Sequence, residues 1–263
     1  MHIGLIALVA LGITGSDKGT EADILIDQLG SCHSVSNQAC LVAAARLTLL
    51  KHEALPRLER RFWTFPPEGQ LLALGVVGGN EEERATELLA KIATDRRPHP
   101  SVRALALDDL GSRRYASYLK LLFRSTRDEA NIVRAAAARG LSNHLYANDT
   151  KVLARLMALA RDEAPNVRVE ALFGLGFSGH AKAGKPLTRG LRDEDVEVRR
   201  AAAEGLGLIK HPPAVAELVK LLDDKDERLV RTVVRALRHQ TDQEFGRDGD
   251  RWRQWLAEQK KSR

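Results

Sequence analysis

The chain is poor in the residues that build cross-linked or metal-held folds. It carries two Cys in 263 residues, which excludes a disulfide-built scaffold and a Cys₄ zinc module. Nine Pro and 20 Gly are near average usage, so neither collagen-like nor broadly disordered sequence is present. The apolar run at residues 1–13 (MHIGLIALVALGI) falls well short of the roughly 20 residues that a membrane-spanning helix needs. Charge of one sign is scarce too: 41 Lys+Arg against 35 Asp+Glu leave +6, a mild excess rather than a nucleic-acid signature. Nowhere does an alternating strand pattern appear. What remains is a chain of one or two domains' length, 29% charged and 44% hydrophobic, whose composition names no reaction.

What is present is a repeat. A ten-residue phrase reads VRALALDDLG from Val102, VRAAAARGLS from Val133, VRVEALFGLG from Val167 and VRRAAAEGLG from Val198, with a weaker copy, LVRTVVRALR, from Leu229. The Leu near the end of each phrase falls at Leu110, Leu141, Leu175, Leu206 and Leu237, at intervals of 31, 34, 31 and 31 residues. Leu74-Gly75 and Leu11-Gly12 continue the series upstream, with a degraded member near Leu47. The mean spacing of about 32 residues is that of two-helix solenoid units. Within a phrase the apolar residues stand at offsets 0, 4, 5 and 8, one helical stripe; in one copy these are Val198, Ala202, Ala203 and Leu206. A second stripe follows at Ala214, Leu218, Leu221 and Leu222, with Pro212 and Pro213 where its helix begins. An Asp-rich turn, Arg192-Asp193-Glu194-Asp195, leads into the next phrase. One helix pair cannot bury both stripes, so the pairs must stack.

The phrase with its preceding Asp turn resembles HEAT repeats, in particular the short bacterial subtype shared with phycobilin lyases. The resemblance covers most of the chain and is clearest over about residues 89–240. It implies an all-α fold: a right-handed α-solenoid of about seven to eight helix pairs, with the Val-Arg helices lining the concave face. Under that resemblance Arg103, Arg134, Arg168 and Arg199 pair with Asp residues of neighbouring turns. The expected organisation is an array over residues 1–240 and a C-terminal cap over 241–263. The segment from Asp242, with Trp252, Trp255 and Leu256 on one helical face, is similar to the closing segment of such arrays. Its expected role is to cover the last open apolar face. At the other end, residues 1–13 read as a repeat helix, with a signal segment as the alternative. Residues 57–67 (RLERRFWTFPP) replace a turn and half a Val-Arg helix; the Pro pair prevents an uninterrupted helix. The three aromatics there suit either a packed-down loop or an exposed docking loop.

Catalytic patterns dissolve on inspection. Gly174-Leu175-Gly176-Phe177-Ser178-Gly179 matches G-x-G-x-x-G, but a dinucleotide loop needs a preceding strand, and here a helix precedes it. His52, His180 and His211 share a turn slot on helices about 8–10 Å apart, too far for metal–nitrogen bonds of about 2 Å. His52-Glu53 resembles one His-Glu pair of deoxyhypusine hydroxylase, a HEAT-like metalloenzyme, but a single pair cannot build a di-iron site. Cys32, His33 and Cys40 lack a fourth ligand, so two unpaired thiols in a reducing compartment are expected. Asp108 and Asp109 are helical neighbours about 100° apart and do not face one another. No catalytic residue, cofactor or metal site is expected.

Charge placement says more than net charge. Residues 91–127 hold nine Lys+Arg against three Asp, with Tyr115, Tyr118 and Phe123 interleaved. Arg113 and Arg114 fall on the opposite edge from the rest, which leaves Arg96, Arg97, Arg124 and Arg127 as a cluster able to meet phosphates. The concave slots are mixed, Arg139, Arg200, Arg231 and Arg235 facing Asp108, Glu170 and Glu204. The expected function is a non-catalytic scaffold that binds another protein, with Arg139, Arg200 and Arg235 as candidate contacts and the cytoplasm as compartment; export is the alternative. Weak, sequence-independent nucleic-acid binding through the basic edge is the second reading. A phycobilin-lyase-type enzyme is the third, resting on subtype alone. The alkylpurine DNA glycosylases built of helical repeats encourage the second in architecture only.

Overall fold

The structure is a computed structural model that describes residues 20–144 and 149–261; the reading of residues 1–13 lies outside them. Among the described residues there are fifteen α-helices, five short 3₁₀ turns and no strand. The chain divides into two compact units, one ending at Ala85 and one beginning at Thr86.

The first unit contains α1 (Glu21–Gly30), α2 (Gln38–Leu49), α3 (Lys51–Arg61) and α4 (Pro67–Gly78). Thr20 and Asp23 form a capping box that starts α1, and Asn37 accepts the Ala39 and Cys40 amides to start α2. The Asn37 turn returns the chain so that Cys32, just past α1, comes to Cys40 in the first turn of α2. The two are joined in a disulfide with 6.2 Å between Cα atoms, inside the range such a bond allows. This corrects the expectation of two unpaired thiols: spacing of eight residues says nothing of proximity until a turn closes it. The aromatic stretch is packed down, not exposed. After a 3₁₀ turn over Phe62–Thr64, Pro66 caps α4 and Pro67 is its first residue. Phe62 and Phe65 are buried, with Phe65 against Gly30 and Gly69.

The second unit takes in most of α5 (Glu83–Thr94), then α6 (Pro100–Arg113), α7 (Leu119–Ser125), α8 (Asn131–Asn143), α9 (Thr150–Leu159), α10 (Pro165–Phe177), α11 (Gly184–Gly190), α12 (Val196–Leu206), α13 (Val215–Lys220), α14 (Glu227–Thr241) and α15 (Gly249–Lys261). The five phrase helices, α6, α8, α10, α12 and α14, pack side by side in sequence order, while α7, α9, α11 and α13 each pack on the phrase helix that follows. The predicted slots are the core: Val102, Val133, Val167, Val198 and Leu229 are fully buried, as are all five phrase-ending Leu residues. Each such side chain contributes about 1.5–3 kcal/mol. Pro212 and Pro213 begin a 3₁₀ turn that runs directly into α13.

Small residues set the helix spacing. A Cβ on Gly111 would lie 2.5 Å from the Gly140 Cα, and one on Gly176 would lie 2.5 Å from the Gly205 Cα. The backbones of α6 and α8, and of α10 and α12, therefore touch without side chains between them. Gly174 and Gly176 are helical residues of α10, so the G-x-G-x-x-G match is a packing seam and not a loop. At the far end Trp252 of α15 is fully buried, edge-on to Phe245 at 4.9 Å, and donates its indole N–H to the Gly246 carbonyl at 3.0 Å.

Candidate functional site

The recurring Val-Arg charge of the first four phrases is spent inside the array. Arg103 reaches Asp128 at 2.9 Å, Arg134 reaches Asp162 at 2.8 Å, Arg168 reaches Asp193 at 2.7 Å and Arg199 reaches Asp224 at 3.0 Å. Three of these Arg residues also donate to two carbonyls of the turn before their own helix, as Arg134 does to Asp128 and Glu129 at 3.0 Å each. Each Asp in turn accepts an amide two residues on: Ala130, Ala164, Asp195 and Asp226. One guanidinium thus ties two consecutive Asp turns. Burial by itself would raise the Asp162 carboxyl, but the Arg134 guanidinium and the Ala164 amide hold it below its ordinary value. These arginines are staples, as the repeat register predicts, and are not available to a ligand.

The candidate contact residues lie on two surfaces of the second unit. The first is the basic edge. Arg96, Arg124 and Arg127 line one cavity of about 360 Å³ with Arg103 and Asp128, so three of the four predicted residues come together. Arg124 stands in the last turn of α7, not in a loop. Arg97 turns away onto Asp95, with 2.5 Å between Nη2 and Oδ2, and Arg96 reaches Glu129 at 3.2 Å. Burial, and to a lesser extent the nearby Arg127, lower the Arg155 guanidinium. Farther along, Arg192 meets Glu217 at 2.7 Å, and Arg192 with Lys220 draws Glu217 down to about 2.

The second surface is the exposed face of the phrase helices. Arg139 bridges Asp108 at 2.8 Å and Glu170 at 2.7 Å, linking α6, α8 and α10. Arg200 pairs with Glu197 of its own helix. Arg235 donates to the Thr232 hydroxyl at 3.3 Å. From α10 onward the character of this face changes. Phe177 is 72% exposed and Leu208 51% exposed; with Phe173, Glu204, Thr232 and Arg235 they line a groove of about 390 Å³. A neighbouring groove of about 520 Å³ is lined by Arg200, Glu204, Arg228, Arg231, Thr232, Val234, Arg235 and Arg247. Sequence reasoning named Arg200, Arg231 and Arg235 but missed Arg228, Arg247 and both Phe residues. The signal was legible: Arg228, Arg231, Arg235 and Arg238 stand at i, i+3, i+7 and i+10, one stripe of α14.

The histidines do not converge. His52 Nδ1 lies 2.8 Å from Glu82, the His180 ring accepts the Lys182 amide and His211 packs on Gly184. Among the described residues no group of three or more His, Cys, Asp or Glu is placed to hold a metal ion.

With this geometry in view, the comparison with known sequences is decisive for the family. The profile of HEAT repeats matches residues 85–163 and 153–238, over half of the chain and all five phrases. The chain belongs to the HEAT-repeat family. No curated protein sequence matches it. Solved HEAT-like structures resemble it in fold: the Escherichia coli protein YibA, 15% identical, with a TM-score of 0.53 over 86% of this chain and 99% of that one, and an engineered protein, 20% identical, with a TM-score of 0.51 over 84% of this chain and 68% of that one. Human deoxyhypusine hydroxylase in complex with glycerol is 19% identical with a TM-score of 0.39, over 85% of this chain and 96% of that one, a likeness from which nothing about activity follows. As a HEAT-repeat chain it is an all-helical, solenoid-like protein, and no helix among its described residues is long and apolar enough to cross a membrane.

Proposed function

We propose that this HEAT-repeat chain is a non-catalytic scaffold that binds another protein on the exposed face of its phrase helices, the face that the family resemblance makes concave in a right-handed solenoid. One observation carries the reading: the seam arginines are neutralised within the array, whereas the face from α10 to α14 leaves large apolar side chains and arginines in adjoining grooves. Soluble monomers seldom leave such surface without a use. The test is capture of polypeptides from the native cell by the immobilised chain after nuclease treatment. A partner whose retention survives nuclease and is lost on Arg235→Glu supports the scaffold. Retention that disappears with nuclease removes it.

The cavity of Arg96, Arg124 and Arg127 favours a second reading, weak and sequence-independent nucleic-acid binding. Three phosphate contacts give a log–log salt slope of about −3 on duplex DNA, and reversing those three residues to Glu would abolish it. We also read the array as the short bacterial, phycobilin-lyase-type subtype of about seven to eight helix pairs, with residues 241–263 as its cap. An enzymatic role of that type would require tetrapyrrole binding, which absorbance titration reads directly. The Cys32–Cys40 disulfide favours an oxidising compartment over the cytoplasm. Thiol alkylation in intact cells should then leave both Cys unlabelled; labelling of both would return the protein to a reducing compartment.

A further inference from the structure

The two grooves of the phrase face are one site in chemical terms, because both are lined by Glu204, Thr232 and Arg235. On one side of those shared residues stand Phe173, Phe177 and Leu208. On the other stand Arg200, Arg228, Arg231 and Arg247. Arg247 is engaged by Glu227 and Arg200 by Glu197. Among the described residues, however, Arg228, Arg231 and Arg235 have no carboxylate within ion-pair distance, although each is exposed. Elsewhere in the unit nearly every phrase arginine has such a partner, as Arg139 has two. These three members of the α14 stripe thus lack an ion-pair partner, whereas Arg238 meets Glu244 at 3.7 Å, and they stand beside an apolar groove that a bulky side chain can enter.

We propose that this double groove binds an acidic peptide segment carrying one bulky apolar residue, the apolar side chain entering between Phe177 and Leu208 and the carboxylates meeting Arg228, Arg231 and Arg235. The proposal rests on the scaffold reading and specifies its partner. Charge complementarity favours carboxylates, and Arg recognises them with two parallel hydrogen bonds. Two features favour a peptide over a nucleic acid. The apolar half offers no cation to a continuing phosphate backbone, and Glu204, at the junction, can accept a peptide N–H, a donor that a sugar-phosphate backbone lacks. An apolar anchor beside charged contacts is also the pattern of small binding hot spots.

The test uses the full chain and fluorescence anisotropy with a short labelled peptide of Glu and Ser containing one central Phe. Comparison probes carry Ala for that Phe, Lys for Glu, or oligothymidylate in place of peptide. Saturable binding of the Phe peptide is expected, weaker by about tenfold on Arg231→Gln with Arg235→Gln, and by a similar factor on Phe177→Ser with Leu208→Ser. The Ala probe should be insensitive to the second pair. All four positions lie at the surface, and circular dichroism with thermal melting confirms each variant's fold. Equal binding of the Phe and Ala peptides, or tighter binding of oligothymidylate, overturns the proposal in favour of a general polyanion site. No binding of any peptide also overturns it. A native partner that is still captured by the Arg231/Arg235 variant would locate the failure in this groove and leave the scaffold reading standing.

Discussion

A guanidinium as enclosed as that of Arg134, 8% exposed, is stable only with its partners in place, and those partners are Asp162, Glu163 and two turn carbonyls. Asp162→Ala removes the enclosed anion and leaves the buried cation only the exposed Glu163 carboxylate at 3.1 Å, a change expected to cost about 3 kcal/mol in denaturant unfolding. Adding Arg134→Met should recover part of that loss; a loss that grows instead would contradict the staple. Because the Asp162 carboxyl is held below its ordinary value, the stabilisation is fully present above about pH 4 and is lost as the pH falls through the lower folded value. Asp109 behaves in the opposite sense. Burial, against the pull of nearby Arg113, raises its carboxyl to about 6. Above that pH the folded chain carries a poorly solvated carboxylate, and between about pH 6 and pH 4 the folded state takes up the proton first. Asp109→Asn should therefore raise stability by about 1 kcal/mol at neutral pH, with the gain fading towards pH 4. A gain that is constant across the range would show that Asp109 is not buried as described.

Between elements, the decisive contacts are those with no side chain in them. Gly111→Ala places a methyl group into the α8 backbone and should cost about 2 kcal/mol, whereas Gly75→Ala, where a Cβ meets nothing within 4 Å, should gain about 0.5–1 kcal/mol. Equal effects at the two positions would refute the close helix approach. Gln240 closes another joint: buried in α14, it donates to the Leu206 and Ile209 carbonyls and accepts the His211 amide at 2.7 Å, satisfying the end of α12. At the far end, Trp255 and Leu256 line a cavity with Pro212 and Val215, where the proposed cap would lie. Removing the chain from Asp242 should lower the melting temperature and promote association; unchanged melting and an unchanged association state would end the proposed capping role. Much of this was legible in sequence, because the Val-Arg phrase encodes both the buried stripe and the Arg that meets the next Asp turn. The disulfide was not, since only the Asn37 turn brings Cys32 to Cys40. Nor was the fate of Arg97, whose nearest anion, Asp95, is a matter of side-chain rotamer and not of register.

For the molecule as a whole, a fold repeated in register leaves function to the places where register is not followed by chemistry. The slot six residues into each phrase runs Asp108, Arg139, Phe173, Glu204 and Arg235: its first two members form an ion pair across the seam, and the third breaks the ladder with an aromatic ring. From that point no pair joins neighbouring members of this slot, Arg200 turning instead to Glu197 of its own helix, and the proposed partner binds there. The direct measurement is photo-crosslinking in the native cell from a reactive amino acid placed singly at Phe177 and Leu208 on the phrase face, and at Lys151 and Lys182 on the other layer. Crosslinks to a polypeptide are expected from Phe177 and Leu208, and none from Lys151 or Lys182. Crosslinks from the other layer alone, or crosslinks to nucleic acid at every position, would contradict the proposal.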